Sequence, residues 1–174
     1  PGKLTPEFKT EFDFSRYRGY FRSIEKCNGS GDCRKSEVIG GTMCPTFMAT
    51  RDEDKSTRGR ANILREFLYR NEKKNPFNQQ EIYDILDLCI SCKACKAECP
   101  SNVDMAKLKA EFLQQFYDIH GIPLRSKMVA YLPRLNGLAV LIRRMSNFVM
   151  NTSLLKKATG FSTKRSVPKL SRIT

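Results

Sequence analysis

The run Cys89-Ile-Ser-Cys-Lys-Ala-Cys-Lys-Ala-Glu-Cys-Pro, ending at Pro100, constrains this chain more than any other stretch. It places cysteines at 89, 92, 95 and 99 and closes them with a proline. Two-residue gaps let successive sulfurs point inward while backbone N–H groups face inorganic sulfide, so Cys89, Cys92 and Cys95 read as three corners of one cubane iron–sulfur cluster. Structural zinc is a poor rival. Zinc knuckles usually lie a dozen or more residues apart, and four thiols in eleven positions make a cramped tetrahedral cage. Disulfides are poorer still, because seven cysteines is an odd count and no secretory signal precedes them.

Where two such clusters share a chain, the cysteine of the Cys-Pro pair ligates the other cluster, so the motif calls for a second ligand group. Cys27, Cys33 and Cys44 supply one, with Pro45 after the last. Crossed over, the first cluster takes Cys89, Cys92, Cys95 and Cys44, a full four-thiolate set for a [4Fe-4S] cluster. The second takes Cys27, Cys33 and Cys99, with Ser30 where a middle cysteine would stand. Three thiolates suit a [3Fe-4S] cluster; a [4Fe-4S] cluster with an oxygen ligand from Ser30, Asp32 or water is the alternative. In a third arrangement only one cluster is bound, with Cys44 or Cys99 as its fourth ligand. Gly29, Gly31, Gly40 and Gly41 give the upstream loops the torsional freedom that wrapping a cluster requires.

The rest of the chain reads as helices, so the expected fold class is all-α. Ser56 or Thr57 caps a first helix over 58–70, with Ile63, Leu64, Phe67 and Leu68 on one face and Arg60, Arg65 and Glu66 mostly elsewhere. Asn78 and Glu81 form a capping-box pattern for a second, whose Ile82, Ile85, Leu86 and Cys89 share a face and lead into the cluster loop. A third runs over about 104–120, ended by Gly121 and Pro123, with His120, the lone histidine, as a solvated cap. Four segments follow: an aromatic and charged arm, 1–26; a cluster domain, 27–121; a basic amphipathic extension, 122–160; and a linker, 161–174. The arm's aromatics are expected to pack on the domain body or on a longer parent, with an extended stretch around Phe21 and Ile24. Pro133, Gly137 and Gly160 divide the extension into helical pieces, with Leu138, Leu141, Ile142, Met145 and Val149 lining one side.

The net charge of +13 is concentrated in the last third. Residues 119–174 hold 11 of the 31 Lys and Arg and none of the 18 Asp and Glu. Such a segment packs on the rest of a larger protein, rests on an anionic membrane surface or binds nucleic acid, in that order of expectation. No apolar run approaches the length of a membrane span, so the expected location is cytoplasmic or peripheral to the inner membrane. The chain opens at Pro1 without methionine, as expected of a piece of a longer polypeptide.

A helix-borne Cys-x2-Cys-x2-Cys-x3-Cys-Pro paired with a second cysteine group resembles the α-helical ferredoxin domains found in the iron–sulfur subunits of succinate dehydrogenase and in heterodisulfide reductases. In the former, a Cys-x5-Cys like Cys27 to Cys33 accompanies a [3Fe-4S] centre. The chain departs from that pattern in placing Cys44-Pro45 eleven positions after Cys33. Over about residues 20–120, Cys27-Asn-Gly-Ser-Gly-Asp-Cys-Arg, Met43-Cys-Pro-Thr-Phe-Met-Ala-Thr-Arg-Asp-Glu and Ser56-Thr-Arg-Gly-Arg-Ala-Asn are similar to the ferredoxin segment of bacterial FAD-linked oxidase fusions, among them D-lactate and D-2-hydroxyglutarate dehydrogenases. The resemblance implies an FAD-binding oxidase region upstream and a cysteine-rich redox region downstream, with FAD bound by the parent and not by these residues.

The expected function is therefore an electron-transfer module that relays electrons from a flavin dehydrogenase to a downstream acceptor, without substrate turnover of its own. Two alternatives remain open at this level. One is a nucleic-acid- or membrane-binding module with a structural cluster. The other is a dehydratase-type open-corner cluster at Ser30, which lacks a nearby carboxylate and histidine set for acid–base steps.

Overall fold

The computed structural model describes residues 8–70 and 75–171, and among them every regular element is helical. They divide into two compact units, one ending at His120 and the other beginning at Gly121.

The first unit is built on three helices, α3 (Thr57–Arg70), α4 (Gln80–Asp87) and α6 (Met105–His120), which pack on one another. Ser56 caps α3: its Oγ accepts the Gly59 N–H at 2.9 Å. Asp104 does the same for α6, accepting the Lys107 N–H at 3.0 Å. Leu64 and Leu68 of α3, Ile82 and Leu86 of α4, and Leu108, Phe112 and Phe116 of α6 are buried at four-residue spacing. Each contributes roughly 1.5–3 kcal/mol by leaving water.

The N-terminal arm closes this core. Tyr20–Ile24 is a helix, α1, where an extended stretch around Phe21 and Ile24 was expected. Helical phase is what buries Tyr20, Ser23 and Ile24 together against α3 and α6. Phe8 meets Phe77 edge-on at 4.6 Å, Phe14 meets Tyr20 at 5.2 Å, and the Tyr20 hydroxyl donates to the Leu108 carbonyl at 3.0 Å. The buried Glu111 carboxylate accepts the N–H groups of Glu11 and Phe12 at 3.1 and 3.0 Å, which ties the arm to α6. The expected capping box at Asn78 does not form. Gln79 precedes α4 without a side-chain cap, and Asn78 Oδ1 instead meets His120 Nε2 at 2.9 Å. His120, stacked on Phe116, is exposed and bridges two elements rather than capping one.

In the second unit, α7 (Leu124–Leu141) runs through Pro133, where a break was expected. An interior proline removes one helical hydrogen bond and bends the rod, and here it does not end it. The chain breaks instead at Ile142 (φ −112°, ψ 35°), so the apolar side expected over 138–149 is split between α7 and α8 (Arg143–Met150). A short α9 follows, Ser153–Ala158. Residues 163–171, within the expected linker, form no regular element yet are tied back. Leu170 N–H donates to Asn147 Oδ1 at 2.8 Å, Val167 N–H to Asn151 Oδ1 at 3.0 Å, and Lys156 Nζ to the Arg165 carbonyl at 2.8 Å.

Candidate metal centre

Cysteines from both motifs meet at one cleft. Cys89 and Cys92 lie in the loop after α4, Cys95 on the short α5 (Ala94–Glu98), and Cys44 at the start of α2 (Pro45–Thr50). All four line one pocket, partly open to solvent, whose other walls include Pro45, Ile90, Met105 and Ala106. The sulfurs are brought there by unusual backbone. Cys44, Ser91 and Lys93 take left-handed torsions with φ of 59°, 55° and 62°. Each costs a non-glycine residue about 1–2 kcal/mol, which a local hydrogen bond or a bound group must offset.

The two loops are fastened across the chain. The Glu98 carboxylate accepts the N–H groups of Thr42 and Met43, at 2.8 and 3.0 Å, together with the Thr42 hydroxyl. The Thr42 hydroxyl and N–H hold that carboxyl below the usual range. Gly41, at φ +92°, admits this contact: a Cβ there would stand 2.9 Å from Glu98 Oε2. Residue 98 immediately precedes Cys99 and residue 43 immediately precedes Cys44, so one carboxylate sets the register of both. Lys109 of α6 donates to the carbonyls of Cys89 and Asp87 at 2.7 and 3.2 Å, and burial lowers its pKa. Lys96, half-exposed, pairs with Asp104 at 3.3 Å.

The second predicted group is less gathered. Cys33 is buried in a 3-10 turn, Asp32–Arg34, and its sulfur accepts the Arg58 N–H at 3.3 Å. Burial, more than its thiol neighbours Cys44 and Cys27, raises its pKa, as burial does for Cys95. Cys27 lines a separate open pocket with Gly29, Arg58 and Asn62. Lys26 donates to the Asn102 carbonyl at 2.8 Å, which sets the Cys27 loop beside the turn that follows Cys99. Ser30 is exposed and donates its N–H to Asn28 Oδ1 at 3.1 Å. Gly29 and Gly31 take the positive torsions expected of them.

Arg60 is the residue that sequence reasoning misplaced. Set apart from the apolar face of α3, it is in fact 2% exposed. Its Nε donates to the Ile85 carbonyl at 3.3 Å and its Nη1 to Cys44 Sγ at 3.7 Å. Nη2 is buried with no partner among the described residues. The signal was present in the spacing, since 60, 64 and 68 fall on one stripe.

This donor set fits an iron–sulfur group. Among the described residues no three Cys, His, Asp or Glu side chains converge closely enough to hold a single metal ion. Four thiols lining one cleft are the donors that a cubane iron–sulfur cluster takes. An orphaned buried cation on its wall asks for an anionic group.

An all-helical scaffold that turns two cysteine loops toward each other defines an all-α, ferredoxin-like domain. The family comparison agrees. Residues 23–103 match the model of the 4Fe-4S dicluster domain. Among curated proteins the chain is similar to D-2-hydroxyglutarate dehydrogenases of several bacteria. That of Pseudomonas putida is 27% identical over 64% of this chain and 14% of its own length. Those of Escherichia coli and Haemophilus influenzae are each 25% identical, over 80% and 83% of this chain and 17% and 18% of their own lengths. The chain thus spans less than a fifth of the relatives it matches, consistent with the ferredoxin segment of such a fusion. No solved structure matches. Among the described residues no helix is long and apolar enough to cross a membrane.

Proposed function

We propose that this chain is the electron-relay segment of a flavin-linked D-2-hydroxyacid oxidoreductase, passing electrons from an FAD-binding region of the same polypeptide to a downstream acceptor, such as a further cysteine-rich region. The carrying observation is the cleft lined by Cys44, Cys89, Cys92 and Cys95, which joins cysteines from both motifs in the pairing that a crossed two-cluster arrangement requires. When bound, an iron–sulfur cluster accepts and releases single electrons. In this reading Cys44, Cys89, Cys92 and Cys95 hold a [4Fe-4S] cluster. Cys27, Cys33 and Cys99 hold a second, three-iron or four-iron, with Ser30 at its fourth corner. The chain's own part is to bury the ligands, donate hydrogen bonds to sulfur and fix the spacing.

Iron and acid-labile sulfide per chain after anaerobic preparation, with EPR of oxidised and reduced samples, tests this. About eight, seven or four irons correspond to two cubanes, a cubane with a three-iron cluster, or one cubane. Zinc without sulfide refutes the reading. In Ser30→Cys, a vacant corner predicts more iron and a weaker oxidised three-iron signal.

A second reading concerns residues 121–174. They carry basic side chains and no acidic ones, and leave Leu141, Phe148 and Leu154 more than three-quarters exposed. That favours peripheral attachment to an anionic surface at the inner membrane. Sedimentation with anionic vesicles at low salt supports it; no binding to them refutes it.

A further inference from the structure

We propose that Arg60 is the buried counter-charge and hydrogen-bond donor of the cluster held by Cys44, Cys89, Cys92 and Cys95, and that it holds that cluster's reduction potential up. The inference rests on the ligand set proposed above and goes beyond it by assigning a role to a residue outside the motif.

Arg60 is 2% exposed, and none of the ion pairs among the described residues includes it. A guanidinium taken out of water without a counter-ion costs several kcal/mol, and an unmet buried donor adds to that. Arg60 carries both costs here. Nε is occupied by the Ile85 carbonyl, Nη1 reaches Cys44 Sγ at 3.7 Å, and Nη2 has nothing. The same side chain forms part of the wall of the four-cysteine cleft. As a thiol, Cys44 donates to the Lys55 carbonyl at 3.1 Å; as a thiolate ligand it loses that proton and needs donors of its own. Arg60 is placed to supply one.

Four thiolates outweigh the positive charge of the iron–sulfide core, so the loaded site is an anion of the size and position that Arg60 lacks as partner. Each one-electron reduction adds a further negative charge to it. A fixed buried cation therefore favours the reduced form over the oxidised one, and hydrogen bonds to cluster sulfur act in the same direction. A purely structural arginine, joining α3 to α4 through Ile85, has neither effect.

The test uses the full chain, anaerobically loaded, as wild type, Arg60→Gln and Arg60→Lys. Iron and sulfide are counted, and the potential is read by EPR-monitored titration of the couple that Cys92→Ser abolishes. In Arg60→Gln the reduced-to-oxidised ratio at a fixed potential is expected to fall at least tenfold, about 59 mV for a one-electron couple. Arg60→Lys, which keeps the charge but not the fork, is expected to fall between. An Arg60→Gln protein with full iron and an unmoved potential overturns the inference while leaving the ligand set intact. A wild type without iron overturns the ligand set itself, and this inference with it. Should the variants fail to load, wild type with guanidino-15N arginine decides the matter by pulsed EPR. A nitrogen coupling to the reduced cluster that persists in Arg58→Lys supports the role; no coupling overturns it.

Discussion

Gly59→Ala sets two well-understood effects against each other within one helix. Alanine in a helix interior is more favourable than glycine by about 1 kcal/mol. At position 59 it also meets backbone. A Cβ there would stand 2.0 Å from the Glu53 carbonyl oxygen and 2.8 Å from its carbon, so the 3-10 turn Glu53–Lys55 must retreat about 1.4 Å to reach ordinary contact at 3.4 Å. Overpacking costs ~1–3 kcal/mol, more when the obstacle cannot rotate away. The same Glu53 oxygen accepts the Ser56 N–H at 3.0 Å, and Ser56 caps α3, so displacing the turn puts a cap worth ~1 kcal/mol at risk. The clash therefore wins, with a net loss of roughly 1–3 kcal/mol. At ~2–4 °C per kcal/mol for a chain of this size, the midpoint falls by about 5 °C. The Lys55 carbonyl of this turn contacts Cys44 Sγ at the cleft, so iron per chain is expected to fall as well. Thermal unfolding followed by helical circular dichroism, with iron analysis on the same samples, measures both. Asn62→Ala, at an exposed position of α3, is the control and should change stability by no more than ~0.5 kcal/mol. A Gly59→Ala protein as stable as wild type would refute the packing of the turn against α3.

Three further outcomes are expected. Glu98→Gln weakens the hold on the upstream loop, so the amides of Thr42 and Met43 should exchange hydrogen faster by mass spectrometry while those of α6 do not; unchanged exchange at 42 and 43 counts against the fastening. Phe112→Ala leaves a cavity at a fully buried site and should cost ~3–5 kcal/mol in denaturant unfolding, and a loss under ~1 kcal/mol would contradict the core described above. Tyr83, whose pKa is pushed up to about 12 chiefly by its hydrogen bond with Tyr117, holds its proton more tightly folded than unfolded. Its stabilising contribution is thus complete below pH 10.0 and lost as pH rises through about 12. Tyr83→Phe should flatten alkaline unfolding in that window, and an identical profile in the variant excludes the coupling.

What the sequence made legible and what it hid divide along the range of the interaction. The Cys89–Cys99 spacing, the Ser56 cap and the apolar rows of α3 and α6 are set within a few residues, and so could be read directly. Three fasteners could not, because each joins groups far apart in the chain. Glu98 reaches Thr42 across 56 positions, Lys26 reaches the Asn102 carbonyl across 76, and Arg60 reaches Cys44 across 16. Arg60 shows how the reading failed: a charged residue on an apolar stripe reads as solvent-facing unless an anion waits for it inside, and the anion in question is made of cysteines from other elements. α1 was missed for a related reason, since five residues carry too little periodicity to declare a helix until α3 and α6 supply the surface it buries against. The three fasteners share a consequence. Each ties an upstream loop to a downstream one or to the helix beside it, as crossed ligand sets demand, because a cluster that draws on both loops tolerates little independent movement of either. Loosening any one of them should therefore disturb cysteines of both motifs, whereas two uncrossed clusters would leave the distant motif untouched. Thiol alkylation of the loaded chain separates the cases: in Cys44→Ser, loss of a crossed cluster exposes Cys89, Cys92 and Cys95, whereas loss of an uncrossed one exposes Cys27 and Cys33.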